Sequence, residues 1–567
     1  MNVILLAVDL LVNALRAARN LIVLLLPPAE FVALTAAGVL PERRPPPAGF
    51  LRRFLPDPFA GPAQESLEEW RDRLRLLAGD PRVRGVVLKI GDLRAGAAAV
   101  ESLRAALEQF RASGKRLVAY AATADLRGYW LASVAERIVA PAGAELALHG
   151  PRTEATFLRP ALDRAGILPQ FHHIAEYKTA AHRFLYPRMT EPQREMTQAL
   201  VDGLYEEVVA AVARSRNLPP DQVRAAVDEG LLTGDAALAR GLVDDLAFED
   251  ELPPRLGGPA RPARILPWAQ ARARLRLPYR WRGRQQQAIG VVQLEGGIVP
   301  GESRDLPLPI PLLGRRLAGH ETVARAFRAA ERHPRIKAVV FHVDSGGGSA
   351  IASEMIWREA ARVHARKPVV VYMGNVAGSG GYYVACGAGA IVANATTITG
   401  SIGVVSGKFN VADLFARLGL VREIVGRGAT AAMFSSFTDF SEREWAALRG
   451  WMEEVYARFI SRVASARRRE AQAVEPLARG RVYTGRQAHA LGLVDTLGDF
   501  ETAVAKAKAL AGIPAEAEVP VITIRPPKAL PVPTGSAAQA LEALQRALEV
   551  LREPALLLTP VDAVAAG

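Results

Sequence analysis

From Ser66 onward the apolar positions switch repeatedly between a helical and a strand period. Ser66–Leu77 carries its apolar residues at helical spacing, with Ser66 as the cap and acids in the first turn. Val83–Ile90 is a short β-branched run and reads as a buried strand. A helix over Ala97–Arg111, a strand over Arg116–Tyr120, a helix over Gly128–Glu136 and a strand over Arg137–Ala140 follow. That order predicts an α/β domain with parallel strands. Helical spacing then dominates Thr190–Arg216 and Pro219–Glu229. Farther on, the apolar run Pro368–Tyr372 predicts a buried strand and Tyr382–Cys386 the first turns of a helix. Between them lies a serine among glycines, Gly374-Asn375-Val376-Ala377-Gly378-Ser379-Gly380-Gly381.

The pattern occurs twice. Pro81–Val87 matches Pro334–Val340 at an offset of 253, as do Gly128-Tyr129-Trp130 with Gly381-Tyr382-Tyr383 and Ile138–Ala140 with Ile391–Ala393. Thr233-Gly234 and Gly241–Asp244 match Thr484-Gly485 and Gly492–Asp495 at an offset of 251. One order maintained over about two hundred residues per copy predicts a tandem duplication. The boundaries expected from it are an N-terminal helix and linker (1–47), a first domain (48–252), a basic linker (253–287), a second domain (288–512) and a C-terminal tail (513–567). The tail has a Val/Ile strand signal at Val519–Ile524 and a helical pattern at Ala537–Leu551, and offers no functional clue.

The first residues, Met1–Leu26, are apolar but carry Asp9, Asn13, Arg16 and Asn20 on one helical stripe. A helix lying in a membrane interface is expected. A spanning helix is disfavoured by Asp9, Arg16, Arg19 and the stop at Pro27-Pro28, and a helix packed on its own protein is the plainer alternative. The 567-residue chain has a net charge of +13, but nine arginines and no acid lie between Leu252 and Leu294. With Trp268, Tyr279 and Trp281 interspersed, that segment suits anionic lipid headgroups or a plain linker better than nucleic acid. A single cysteine, Cys386, excludes a disulfide framework within the chain and a cysteine-rich zinc site, and no HExxH motif is present. No metal and no cofactor is expected.

A serine on a glycine-lined strand-to-helix turn exposes its hydroxyl beside backbone N–H groups that can hold an oxyanion. A flexible Gly/Ser loop is the bland alternative. The two copies discriminate. Ser379 aligns with Leu126, so the first copy has no nucleophile there. Conversely Lys178, in Glu176-Tyr177-Lys178-Thr179-Ala180-Ala181, aligns with Ala429. One copy keeps the serine and the other the lysine. Only nine lysines stand against sixty-two arginines, and a desolvated lysine, unlike an arginine, can lose its proton and act as a base. Tyr177, Phe171 and Ile174 offer it apolar surroundings. His172 and His173 are alternative bases, read more simply as a strand with one imidazole on each face, and Lys408 is a rival lysine in what reads as an exposed turn. Asp344-Ser345-Gly346-Gly347-Gly348 follows a strand, lacks a Gly-Lys-Ser/Thr ending, and fits a second oxyanion donor better than a phosphate loop. Ser401, in Thr399-Gly400-Ser401-Ile402-Gly403, is placed to orient the lysine.

These motifs, with the closing Thr484-Gly485…Gly492-Leu493-Val494-Asp495, resemble the signal peptide peptidase A (protease IV) family in its long tandem form, over about residues 60–510. The loop has Gly346 where the family usually has proline. The resemblance implies an α/β fold of tandem ClpP/crotonase-like domains and a membrane-associated serine endopeptidase. Ser379 would be nucleophile, Lys178 general base and acid, Gly380 and Gly347 the oxyanion hole, and Ser401 the lysine-orienting residue. It further implies signal-peptide substrates, a homo-oligomeric ring such as a tetramer, and an inner-membrane enzyme with its domains on the periplasmic face. The expected partners are peptides and membrane lipids, not nucleic acid. A catalytically silent membrane scaffold and an acyl-CoA-processing crotonase relative are the alternatives.

Overall fold

The computed structural model describes residues 3–45, 65–279, 281, 287–310, 313–525 and 556–558. The expected helix at Ala537–Leu551 lies outside them. The chain forms two compact units, one of residues 1–151 and 204–286 and one of residues 152–203 and 287–567.

The first unit is built on a six-stranded parallel sheet in the order Ile265–Pro267, Phe31–Gly38, Gly85–Leu93, Arg116–Tyr120, Arg137–Ala140, Asp245–Leu246. Its helices cover the sheet as the alternating pattern requires. Leu67–Gly79 starts at a capping box in which the Ser66 hydroxyl accepts from Glu69 N–H, and it buries Trp70, Leu74 and Leu77. Three of these strands are not predicted by the pattern, and the two-residue Asp245–Leu246 is too short to show a period. Phe31–Gly38 is rich in Ala and Gly and closely follows Pro27-Pro28, so it lacks a strand's usual composition, yet it sits mid-sheet. Ile265–Pro267 lies in the segment read as a linker. Its pairing with Phe31–Ala33 makes that segment part of the first unit's fold.

The N-terminal helix runs Val3–Leu25. Its polar stripe turns inward: Asp9, Asn13 and Asn20 are buried, while Leu11, Leu15, Ile22 and Leu25 are 62–86% exposed. Asn20 exchanges two hydrogen bonds with the Leu277 backbone, and the Arg19 guanidinium donates to the carbonyls of Arg272, Ala273 and Leu275. The stripe expected to meet water meets the backbone of residues 272–278 instead. Among the described residues no helix is long and apolar enough to cross a membrane.

The second unit repeats the plan. Its eight-stranded main sheet runs Val482–Thr484, Ile398–Gly400, Val369–Gly378, Ile336–Ser345, Ala288–Glu295, Val521–Thr523, and Ala390–Ala393 branches from Val369–Gly378 to pair with Thr496–Leu497. The same hydrogen bonds recur in each unit. Tyr129 donates to the Leu242 carbonyl as Tyr382 does to that of Leu493, both at 2.8 Å. Asp244 accepts from Ile138 N–H as Asp495 does from Ile391 N–H, both at 2.7 Å. A second sheet in this unit is ordered Arg304–Ile310, Gly314–Gly319, Gly297–Val299, Gly347–Ser349, Leu556–Leu558, Val405–Asn410, Leu168–His173. Its last strand comes from the first sequence copy. Leu168–His173 pairs antiparallel with the whole of Val405–Asn410, and so residues 152–203 pack within the second unit.

Candidate active site

The strand Val369–Gly378 is longer than the apolar run that announced it, and carries the chain through most of the glycine stretch. Side chains from neighbouring strands hold its polar end. Thr397 Oγ1 donates to the Gly374 carbonyl at 2.8 Å and Thr399 Oγ1 to that of Ala377 at 2.7 Å. The half-buried Asp344 carboxylate accepts from Val376 N–H at 3.1 Å. A Cβ on Gly374 would stand 2.9 Å from Asp344 Cγ, so only glycine lets the strand pass. Burial pushes the Asp344 carboxyl up from its ordinary range. One sign of this role is legible in the sequence, an acid at the end of an apolar run.

Ser379 is the whole of the turn. It has φ +54° and ψ −113°, and the helix Gly380–Ala385 begins at the next residue. A non-glycine residue in that region costs roughly 1–3 kcal/mol and persists where its surroundings over-determine it. Here Ser379 N–H donates to the Gly400 carbonyl and its carbonyl accepts from Tyr383 N–H, both at 2.8 Å. Ser401 also has positive φ, +53°. In the first unit the equivalent turn is an ordinary cap, with Asp125 accepting from Gly128 N–H ahead of the helix Leu126–Ala132.

Lys178 lies between Leu168–His173 and the short helix Thr179–Ala181. Its Nζ is 2.6 Å from Ser379 Oγ, 2.8 Å from the Ser401 carbonyl oxygen and 3.0 Å from Ser401 Oγ. All three residues are fully buried. No carboxylate pairs with the amine among the described residues, and burial alone drives its pKa well below the ordinary lysine value. Glycines clear its path. A Cβ on Gly480 would stand 2.4 Å from Lys178 N, and one on Gly403 3.1 Å from Lys178 Cδ. Gly480 was missed in the sequence because it sits between arginines outside every motif.

Gly347 and Gly380 face each other. A Cβ on Gly347 would stand 2.8 Å from Gly380 N, and one on Gly380 3.1 Å from Gly347 Cα. Gly347 N–H donates to Ser345 Oγ at 3.1 Å. The alternative bases lie elsewhere in the bonding pattern. His173 Nδ1 is 2.8 Å from the Ala175 carbonyl oxygen and its Nε2 3.3 Å from that of His182, whose pKa burial lowers to about 4. Lys408 is not in an exposed turn. It is on a strand, buried, donating to the Met433 carbonyl with its ammonium over the Phe440 ring. Burial raises the Cys386 thiol to about 12, so it is no rival nucleophile at neutral pH.

The family description "Peptidase family S49" matches residues 109–257 and 361–514. The chain belongs to peptidase family S49. Two matched regions accord with a tandem duplication. This S49 chain is 32% identical to Protease 4 of Salmonella typhi over 464 residues, covering 79% of this chain and 72% of that one. It is 31% identical to the chloroplastic serine protease SPPA of Arabidopsis thaliana over 477 residues, covering 82% and 69%. A solved membrane-bound stomatin-specific protease aligns at 17% identity over 43% of this chain and 99% of its own, with a TM-score of 0.27. The protein is a serine-type endopeptidase.

Proposed function

We propose that this S49 peptidase cleaves apolar peptides, of the kind that signal peptides present, through a Ser379/Lys178 dyad at a membrane surface. The observation that carries the dyad is the 2.6 Å approach of two fully buried groups, one an amine with no counter-ion among the described residues. A neutral amine has two N–H donors and one lone pair. Its N–H groups suit the two Ser401 oxygens, leaving the lone pair for the Ser379 hydroxyl. Ser379 Oγ then attacks the scissile carbonyl carbon as Lys178 takes its proton. Lys178 returns that proton to the leaving amine as the C–N bond breaks, and water releases the acyl group by the same sequence. Gly380 N–H, with Gly347 N–H once released from Ser345, would hold the oxyanion. Ser401 orients the amine.

Membrane attachment is supported by the outward apolar face of Val3–Leu25, which in water would be an uncompensated patch. Assembly with further copies is supported by a second exposed apolar stretch, where Val421 and Val425 are more than nine-tenths exposed. A periplasmic, ring-forming enzyme is the arrangement we infer. A fluorophosphonate should form one adduct, at Ser379, and Ser379→Ala should abolish both labelling and peptide hydrolysis. A folded protein that neither labels nor cleaves would instead favour a silent scaffold.

A further inference from the structure

A peptide substrate must lie extended past Ser379, with its backbone paired to strand edges near the nucleophile. In this chain that position is filled by three residues of its own C-terminal tail. Leu556–Leu558 runs antiparallel to Gly347–Ser349, pairing Leu558 with Gly347, Leu557 with Gly348 and Leu556 with Ser349. On its other side Leu556 pairs antiparallel with Val405. The short strand thus closes a slot between the loop that carries Gly347 and the strand that follows Ser401. The Leu558 carbonyl oxygen is 3.4 Å from Ser401 Oγ, which is 3.0 Å from Lys178 Nζ. The backbone approach is close enough that a Cβ on Gly347 would stand 1.8 Å from the Leu557 carbonyl oxygen.

The side chains alternate as strand geometry requires. Leu556 and Leu558 join an apolar cluster with Val299, Leu306, Leu313, Leu317 and Val405. Leu557 points into the unit's main core. All three are almost wholly buried. Three bare leucines on a strand inserted between two others, with a carbonyl beside the dyad, have the form of a bound apolar peptide. A substrate that reaches Ser379 by pairing with Gly347–Ser349 and the tail cannot occupy the slot together.

Resting on the serine-peptidase reading above, we infer that Leu556–Leu558 is an autoinhibitory occupant of the substrate slot, displaced by peptides that place apolar side chains at alternate positions against the Leu306, Leu313 and Leu317 wall. A segment present nine-tenths of the time lowers apparent substrate affinity about ten-fold. The test uses the full chain. Leu557→Asp, and the milder Leu557→Ala, are assayed with a leucine-rich fluorogenic peptide, with fluorophosphonate labelling and with thermal melting. We expect kcat/KM to rise about ten-fold through KM in Leu557→Asp and less in Leu557→Ala, labelling to quicken, and the melting temperature to hold. A synthetic peptide of sequence Pro554–Pro560 should restore inhibition competitively. An unchanged kcat/KM, or a fall in activity and melting temperature together in both variants, would make the strand a fixed part of the fold and overturn the inference alone. Absence of cleavage and of labelling in wild type and variants alike would overturn the peptidase reading with it.

Discussion

In the mechanism proposed above Lys178 carries the chemistry, because its fully buried amine is held by oxygens and by no carboxylate among the described residues. Burial depresses its pKa, and the three partners of Nζ match a neutral amine. Arginine would preserve charge but could not give it up, so Lys178→Arg should lower kcat/KM on the order of a thousand-fold or more in a peptide assay, with folding intact by circular dichroism. The same burial has a sign in stability. Between the depressed folded pKa and the ordinary value of 10.5, the unfolded chain binds a proton at this position and the folded chain does not. Stability should therefore rise with pH across that window. Lys178→Met should remove this contribution, which denaturant melts of both proteins at several pH values would reveal as a shallower slope. Gly480 is tested more simply. Gly480→Ala would press a methyl group against Lys178 N and Cα, at 2.4 and 2.5 Å, and should cut kcat with KM little changed. Ser379 and Lys178 were legible in the sequence because duplication turned each into a contrast, serine against Leu126 and lysine against Ala429. Gly480 and the Asp344 carboxylate had no such contrast, and their roles depend on backbone approach across strands.

At the scale of elements, periodicity located Arg116–Tyr120 and Arg137–Ala140 to the residue. It failed on Phe31–Gly38 and Ile265–Pro267, whose places depend on partners far away in sequence. The N-terminal helix is the most instructive case. Its spacing identified a two-faced helix, but which face turns inward was decided by hydrogen bonds to residues 272–278, and these took the polar stripe. The apolar face remains outside. Replacing Leu11, Leu15 and Ile22 together by Asp should therefore reduce flotation with anionic vesicles at least ten-fold while leaving cleavage of a soluble peptide unchanged. Equal flotation of both proteins would place the lipid contact elsewhere.

For the whole molecule, the sequence repeat and the architecture agree in plan and differ in partition. Tyr129 and Tyr382 make the same hydrogen bond in their respective units, as do Asp244 and Asp495. Yet residues 152–203, first-copy by sequence, fold into the second unit and bring Lys178 with them. No sequence period reports this, because the pairing of Leu168–His173 with Val405–Asn410 spans more than two hundred residues. The consequence is that Lys178 and Ser379 meet, at 2.6 Å, within the second unit of a single chain. Assembly would then serve access rather than chemistry. Val421→Asp with Val425→Asp should shift the sedimentation coefficient toward the monomer while fluorophosphonate labelling of Ser379 persists. The most direct test of the central claim is the rate of that labelling as a function of pH. If Lys178 is the buried neutral base, the wild-type rate rises with one deprotonation well below the ordinary lysine range, and Lys178→Arg labels negligibly at every pH. Labelling of Lys178→Arg at the wild-type rate, or a wild-type rise only near 10.5, would contradict it.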